Sequence, residues 1–202
     1  MIKKNKIPIP VLVVDFGSQT TQLILRRVRE IGIYCEVISH NQIIDKIKEL
    51  QPKAIIFSGG PSSAFNRFSP KVDKRVFDTK IPILGICYGM QIICEQLKGK
   101  VKKTYKREFG KAYIRALKKS TLFKDNIKLN SKTQVWMSHG DEVVQVPTGF
   151  EIIARSDNNI AAIADEKKKI YGLQFHPEVI HTLKGKQLIR NFIIDIAKIK
   201  QE

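Results

Sequence analysis

In the first half of the chain, short β-branched runs at residues 11–16, 34–38, 54–57 and 81–86 alternate with stretches whose apolar residues recur at helical spacing. Between the first two runs, Ile24, Val28 and Ile31 fall at i, i+4 and i+7 on one face. Arg26, Arg27, Arg29 and Glu30 lie mostly off that face, and Gly32 closes the helix. Residues 42–50 form a second helical segment, stopped by Pro52. Strand and helix alternating in this way predict an α/β fold: an open, mostly parallel sheet with helices on both faces, since parallel neighbours need a crossover.

The second half changes character. Strands are expected at 100–105, 112–117, 135–138, 152–156, 161–164 and 170–175, too closely spaced for crossover helices, so they read as antiparallel strands added to the sheet. A last amphipathic helix is expected over 184–199. With no internal repeat or low-complexity segment, the reading is one domain over residues 1–202, with its core at about 11–197 and residues 1–10 as an N-terminal extension.

Composition adds a large positive charge. Lys and Arg number 36 against 19 Asp and Glu, a formal net charge of +17 that permits an anionic partner. The densest groups are Lys3, Lys4 and Lys6, the run 102–107, and Lys167, Lys168 and Lys169; they hold a single aromatic, Tyr105, where a base-stacking groove interleaves several. The charge therefore reads as a solvated lysine-rich surface rather than a nucleic-acid site. The three cysteines, Cys35, Cys87 and Cys94, form no C-x-x-C pair, which points away from a disulfide framework or zinc ribbon and toward a reducing, cytoplasmic setting. The basic N-terminus precedes a short, proline-containing apolar stretch that ends at Asp15, which reads as a first buried strand rather than a leader. No run approaches the ~20 apolar residues of a membrane span.

The candidate chemistry centres on Gly85-Ile86-Cys87-Tyr88-Gly89. Flanking glycines allow a strand to turn sharply into a helix and expose the central side chain, the nucleophile-elbow arrangement. A helix beginning near Tyr88 directs its N-terminal partial charge and free N–H groups at the sulfur and favours thiolate. The bland alternative is a small buried cysteine. Of His40, His139, His176 and His181, the best placed as a base is His176, which follows an apolar strand in His176-Pro177-Glu178, where Glu178 can orient the ring. Ser58-Gly59-Gly60-Pro61 follows another strand, and the N–H groups of Gly60 and Tyr88 are the natural oxyanion donors. No Lys-Ser/Thr follows the glycines, so this is no Walker A loop and ATP binding by this chain is not indicated.

With elbow, SGGP and HPE in this order, residues 11–196 resemble the class I (triad) glutamine amidotransferases, whose flavodoxin-like fold matches the one expected. Within that family the chain looks most like the glutaminase portion of GMP synthases, through DFGSQ at 15–19, REFG at 107–110, WMSHGD at 136–141 and EVIHT at 178–182. The resemblance implies hydrolysis of the L-glutamine side-chain amide by Cys87, with His176 as general acid and then base and Glu178 as the third triad member. It implies substrate contacts from Gly60, Tyr88, Gln91, Ser138, Gly140 and Asp141. Thr20, where the family usually has tyrosine, and Lys98, where a glycine is common, are departures; the first is expected to alter a contact beside the pocket and the second a helix end, neither touching the triad.

Nothing resembles the SGGxDS loop of an ATP pyrophosphatase. The chain is therefore expected to be the ammonia-producing half, without metal or cofactor of its own, with ATP and Mg expected only in a synthetase domain or subunit that converts XMP to GMP. The run around Arg107, Glu108 and the His181-Thr182 segment are candidates for contact with that partner. Alternatives are the glutaminase of anthranilate or carbamoyl phosphate synthesis, or a non-catalytic basic binding module of the same fold.

Overall fold

A computed structural model of the chain describes residues 9–157 and 159–201, except the side chains of 105–107. Lys3, Lys4, Lys6 and the Arg107 side chain thus lie outside the described residues.

The continuous apolar runs of the first half become strands buried on both faces. β1 (Val11–Asp15), β3 (Ala54–Phe57) and β4 (Ile83–Ile86) pair in parallel, with β2 (Cys35–Ser39) on the outer side of β1. β4 starts after Pro82, whose ring nitrogen has no proton for a ladder. Successive residues of β1 feed different layers: Val11 and Val13 pack with Ile24 and Val28 of α1 (Thr21–Glu30), whereas Leu12 and Val14 pack with Ile43 of α2 (Ile43–Leu50) and Met90 of α3 (Tyr88–Gln96). Alternation on one strand thus builds two cores, with helices on both faces as the sequence predicts.

The antiparallel addition is present but its strands are longer than expected. The segments at 100–105 and 112–117 are one strand, β5 (Lys100–Ala116), and 135–138 is the centre of β6 (Lys132–Gln145); the two pair along their length through a register shift between Lys103 and Glu108. Ladder hydrogen bonds are made by the backbone, so polar side chains at 138–141 do not end the strand as their composition suggests. β7 (Glu151–Arg155), β8 (Ile160–Asp165) and β9 (Ile170–Leu173) complete the order β2-β1-β3-β4-β9-β8-β7-β5-β6. β9 lies parallel to β4 and antiparallel to β8, which joins the two halves. The last helix is α4 (Gly185–Arg190) continued by π-helical turns over Asn191–Ile196, with the Asn191 amide anchored on the carbonyls of Leu122 and Lys124. Among the described residues no helix is long and apolar enough to cross a membrane.

Candidate active site

Cys87 stands between β4 and α3 with φ 52° and ψ −107°. An L-residue held at positive φ costs about 1–3 kcal/mol, and persists only where its surroundings over-determine it. Here they do. The Cys87 N–H donates to Leu173 O of β9 at 2.7 Å and its carbonyl receives Gln91 N–H, tying the bend to a strand and a helix at once. The flanking glycines serve close approach: a methyl on Gly85 would stand 2.6 Å from the Gly89 backbone, and one on Gly89 2.6 Å from Phe57 O. The sulfur lies 3.6 Å from Ser138 O, and Tyr88, first residue of α3, contributes an N–H with no acceptor inside the helix.

The SGGP loop closes over the same place. The Ser58 hydroxyl receives Phe16 N–H at 3.0 Å and donates to Gly59 O at 2.8 Å, fixing the loop against the end of β1. A methyl on Gly59 would stand 3.2 Å from His176 Cε1, and one on Gly60 2.6 Å from Phe16 O, so this wall of the site is backbone.

From the end of β9 come His176 and Glu178, separated in sequence by a proline. His176 Nδ1 and Glu178 Oε1 are 2.7 Å apart, and Glu178 is fully buried. Burial alone would lower the imidazole's pKa; hydrogen bonds with Cys87 and Glu178, and their charges, outweigh it and hold it well above the ordinary value. A clamp keeps the turn in place. His176 N–H donates to Trp136 O, the Thr182 hydroxyl donates to His176 O and receives Trp136 N–H, and Arg27 Nε donates to Glu178 O. His181 stacks on Trp136 with ring centroids 4.6 Å apart, and Ile180 and Leu183 beside it are exposed.

Two sequence expectations change, those for Thr20 and Glu108. Thr20 does touch the constellation: its hydroxyl donates to Glu178 Oε1 at 2.7 Å, because the turn after β1 and the turn after β9 meet at the same edge of the sheet. Gln91 is 3% exposed and donates to Asp141 O and Gln174 Oε1. Glu108 does not face outward as a partner contact: its carboxylate lies against His139 Nε2 and the Ser156 hydroxyl, and burial, which works to raise its pKa, is outweighed by hydrogen bonds from His139, Asn159 and Ser156 that lower it. His139 is buried, its Nδ1 2.8 Å from Asp141 O, so it braces the Ser138 to Asp141 backbone from behind.

Cys87, His176, Glu178, Gly60 and Tyr88 are brought together at the carboxyl ends of β3, β4 and β9, where β6, although at the edge of the sheet, brings Ser138 O to within 3.6 Å of the sulfur and Asp141 O to Gln91, with Gly140 between them in sequence. Sequence reasoning missed Thr20 as a contact, the Thr182 clamp, and Gln174, whose Nε2 lies 3.7 Å from Cys87 Sγ. A glutamine inside the apolar run IYGLQF was the available signal, since a polar residue buried there needs a partner. A surface groove of about 980 Å³ along residues 118–129 and Glu166 shares no residue with this site. Among the described residues no group of three or more His, Cys, Asp or Glu could hold a metal ion.

A thiol beside a buried imidazole and carboxylate, facing free backbone donors, is equipped for acyl transfer. Comparison with known proteins agrees. The family model described as glutamine amidotransferase class-I matches residues 12–196. A glutamine-hydrolyzing GMP synthase of Rhizobium etli is 53% identical over 194 residues, 96% of this chain, and one of Aquifex aeolicus is 48% identical over 95% of it. The chain spans 37% of the length of these curated relatives. The crystal structure of a "putative gmp synthase subunit a protein" from Thermoplasma acidophilum superimposes with a TM-score of 0.83 at 30% identity, covering 96% of each chain.

Proposed function

The chain belongs to the class-I glutamine amidotransferase family, and from that premise we propose that it hydrolyses the side-chain amide of L-glutamine through a thioester on Cys87 and supplies ammonia to an ATP-dependent synthetase domain or subunit that converts XMP to GMP. The observation that carries this reading is the positive-φ cysteine at the head of α3, with His176 beside it across Gly59 and 2.7 Å from buried Glu178.

In the proposed reaction the Cys87 thiolate attacks the amide carbon, and the oxyanion is received by the N–H groups of Gly60 and Tyr88. As the C–N bond breaks, His176 gives its proton to the leaving nitrogen, which departs as ammonia. Water then adds to the thioester, His176 takes its proton, and glutamate leaves with regeneration of the thiolate. Glu178 holds the imidazole's orientation and charge throughout. Ser138, Gly140 and Asp141 offer backbone and carboxylate to the substrate's α-amino and carboxylate groups, with Gln91 supporting them from α3.

The synthetase partner is inferred from the relatives, which are named for the whole reaction and extend well beyond the matched part. Phe109, Ile180, Leu183 and the Trp136–His181 stack form an exposed apolar rim near Ser138, suited to contact with such a partner. ATP and Mg are assigned to that partner and no cofactor to this chain. The test is glutamate release by the chain and by Cys87→Ala, each alone and with a synthetase partner, XMP, ATP and Mg. Glutamine-dependent GMP formation that requires Cys87 is expected; equal glutamate release from both proteins would overturn the assignment.

A further inference from the structure

A single backbone carbonyl orients two buried amides and decides what the sulfur of Cys87 faces. Asp141 O lies 3.1 Å from Gln91 Nε2. A carbonyl only accepts, so Gln91 must turn its amino group toward β6. The second proton of that group goes to Gln174 Oε1 at 3.2 Å, which leaves Gln174 presenting its own amino group in the other direction, to Cys87 Sγ at 3.7 Å. Gln91 is 3% exposed and Gln174 fully buried, so water does not substitute for either bond. Flipping Gln91 would set its oxygen against Asp141 O, and flipping Gln174 would set nitrogen against nitrogen at Gln91; each leaves a buried group unpaired.

We propose that Gln174 is the hydrogen-bond donor that stabilises the Cys87 thiolate, and that Gln91 locks this donor in place. The proposal rests on the reading of Cys87 as the nucleophile. A thiol can donate to Ser138 O, 3.6 Å away; a thiolate has no proton for that carbonyl and needs donors instead. The titratable groups facing the sulfur are His176 and, behind it, Glu178. Gln174 adds a donor that stays neutral at every pH, so it biases the sulfur toward thiolate without a titration of its own. It also divides the work of Gln91, whose Nε2 protons are both engaged within the protein, leaving Oε1 for a substrate.

The experiment is alkylation of the whole chain by iodoacetamide from about pH 5 to about pH 9, read at Cys87 by mass spectrometry, because the thiolate is the reacting species. Gln174→Met and Gln174→Leu remove the donor and retain side-chain bulk. For each, the plateau rate at high pH stays within about twofold, while the half-plateau pH rises by about one unit, so the rate on the acid side falls about tenfold. Gln91→Leu moves the midpoint the same way by a smaller amount. If one position-174 variant does not fold, the other carries the test. A profile superimposable on that of the unsubstituted chain, in either folded variant, overturns the proposal. Glutamate release by Cys87→Ala, measured alongside, separates that result from failure of the nucleophile assignment, which it would reveal on its own.

Discussion

The Thr20 hydroxyl and the His176 ring share one oxygen atom of Glu178: Thr20 Oγ1 and His176 Nδ1 each lie 2.7 Å from Oε1. The other oxygen, Oε2, has no hydrogen-bond partner among the described residues although it is buried. A fully buried carboxylate depends on the few donors it has, and Thr20 supplies one of two to the atom that orients the imidazole. Ser18 Oγ, 2.8 Å from Thr20 Oγ1, extends the chain of hydroxyls back to the turn after β1.

Thr20→Val removes that donor and keeps the shape of the side chain. Hydrogen bonds to charged groups contribute about 1.5–3 kcal/mol. The expected result is a fall in kcat for glutamine hydrolysis of about tenfold or more, with KM within about twofold, since Thr20 acts on the carboxylate rather than on bound substrate. Thr20→Ser keeps the hydroxyl and should retain most of the activity. Steady-state glutamate release for both variants checks this, and a loss in KM alone would contradict it.

Much of the fold was legible because burial on both faces leaves long apolar runs, as in β1, β3 and β4, and because Gly85 and Gly89 announce the bend at Cys87 within five residues. What was hidden depends on contacts made over long separations. Nothing near Thr20 signals Glu178, 158 positions away. β5 and β6 looked like fragments because their outer face carries Phe109, Lys111, Tyr113 and Arg115 exposed, while backbone bonds continue beneath. The helix-end expectation at Lys98 had a physical basis that the structure displays: Lys98 adopts φ 69°, the left-handed conformation glycine accepts at no steric cost.

Glu178→Gln should move the titration of His176 and not only slow the reaction. Burial opposes the imidazolium, and part of what outweighs it is the hydrogen bond and charge of Glu178. A histidine raised in the folded state contributes stability that is complete below its unfolded value of about 6.5 and is lost as pH rises through the higher folded value. In the parent protein, NMR of labelled histidine should therefore find His176 protonated through neutral pH. In Glu178→Gln its titration should fall toward or below the ordinary range, with glutamine hydrolysis reduced at least about hundredfold. An unmoved His176 titration would remove Glu178 from this role.

Glu108 gives a prediction of opposite sign. Its pKa is lowered in the fold, so its contribution is present above the unfolded value of about 4.3 and disappears as pH falls through the folded one. Glu108→Gln should lower unfolding free energy near pH 7 by about 1–3 kcal/mol, because His139 and Ser156 lose a charged acceptor. Urea unfolding should show the gap between parent and variant closing on acidification below about pH 4. A gap independent of pH would mean that the carboxylate's charge is not what His139 and Ser156 stabilise.

The three cysteines should separate cleanly in reactivity. Cys94 is fully buried in α3, and Cys35 is 1% exposed with its sulfur directed at Leu25 O; burial raises the thiol pKa of both. Neither has a histidine beside it, and each sulfur is held within the apolar packing of the sheet and helices. Cys87 is also largely covered, but it sits on the bend at the carboxyl end of β4, with His176 on one side and the first turn of α3 beneath it. Brief treatment of the folded protein with iodoacetamide near pH 7 should label Cys87 alone, at least about hundredfold faster than the other two, by peptide mapping. Labelling of Cys35 and Cys94 should appear only when denaturant opens the core, at the concentration where the fold is lost. Equal labelling of all three in the folded state would show that the elbow confers no special reactivity, and would count against every role argued for the groups around it.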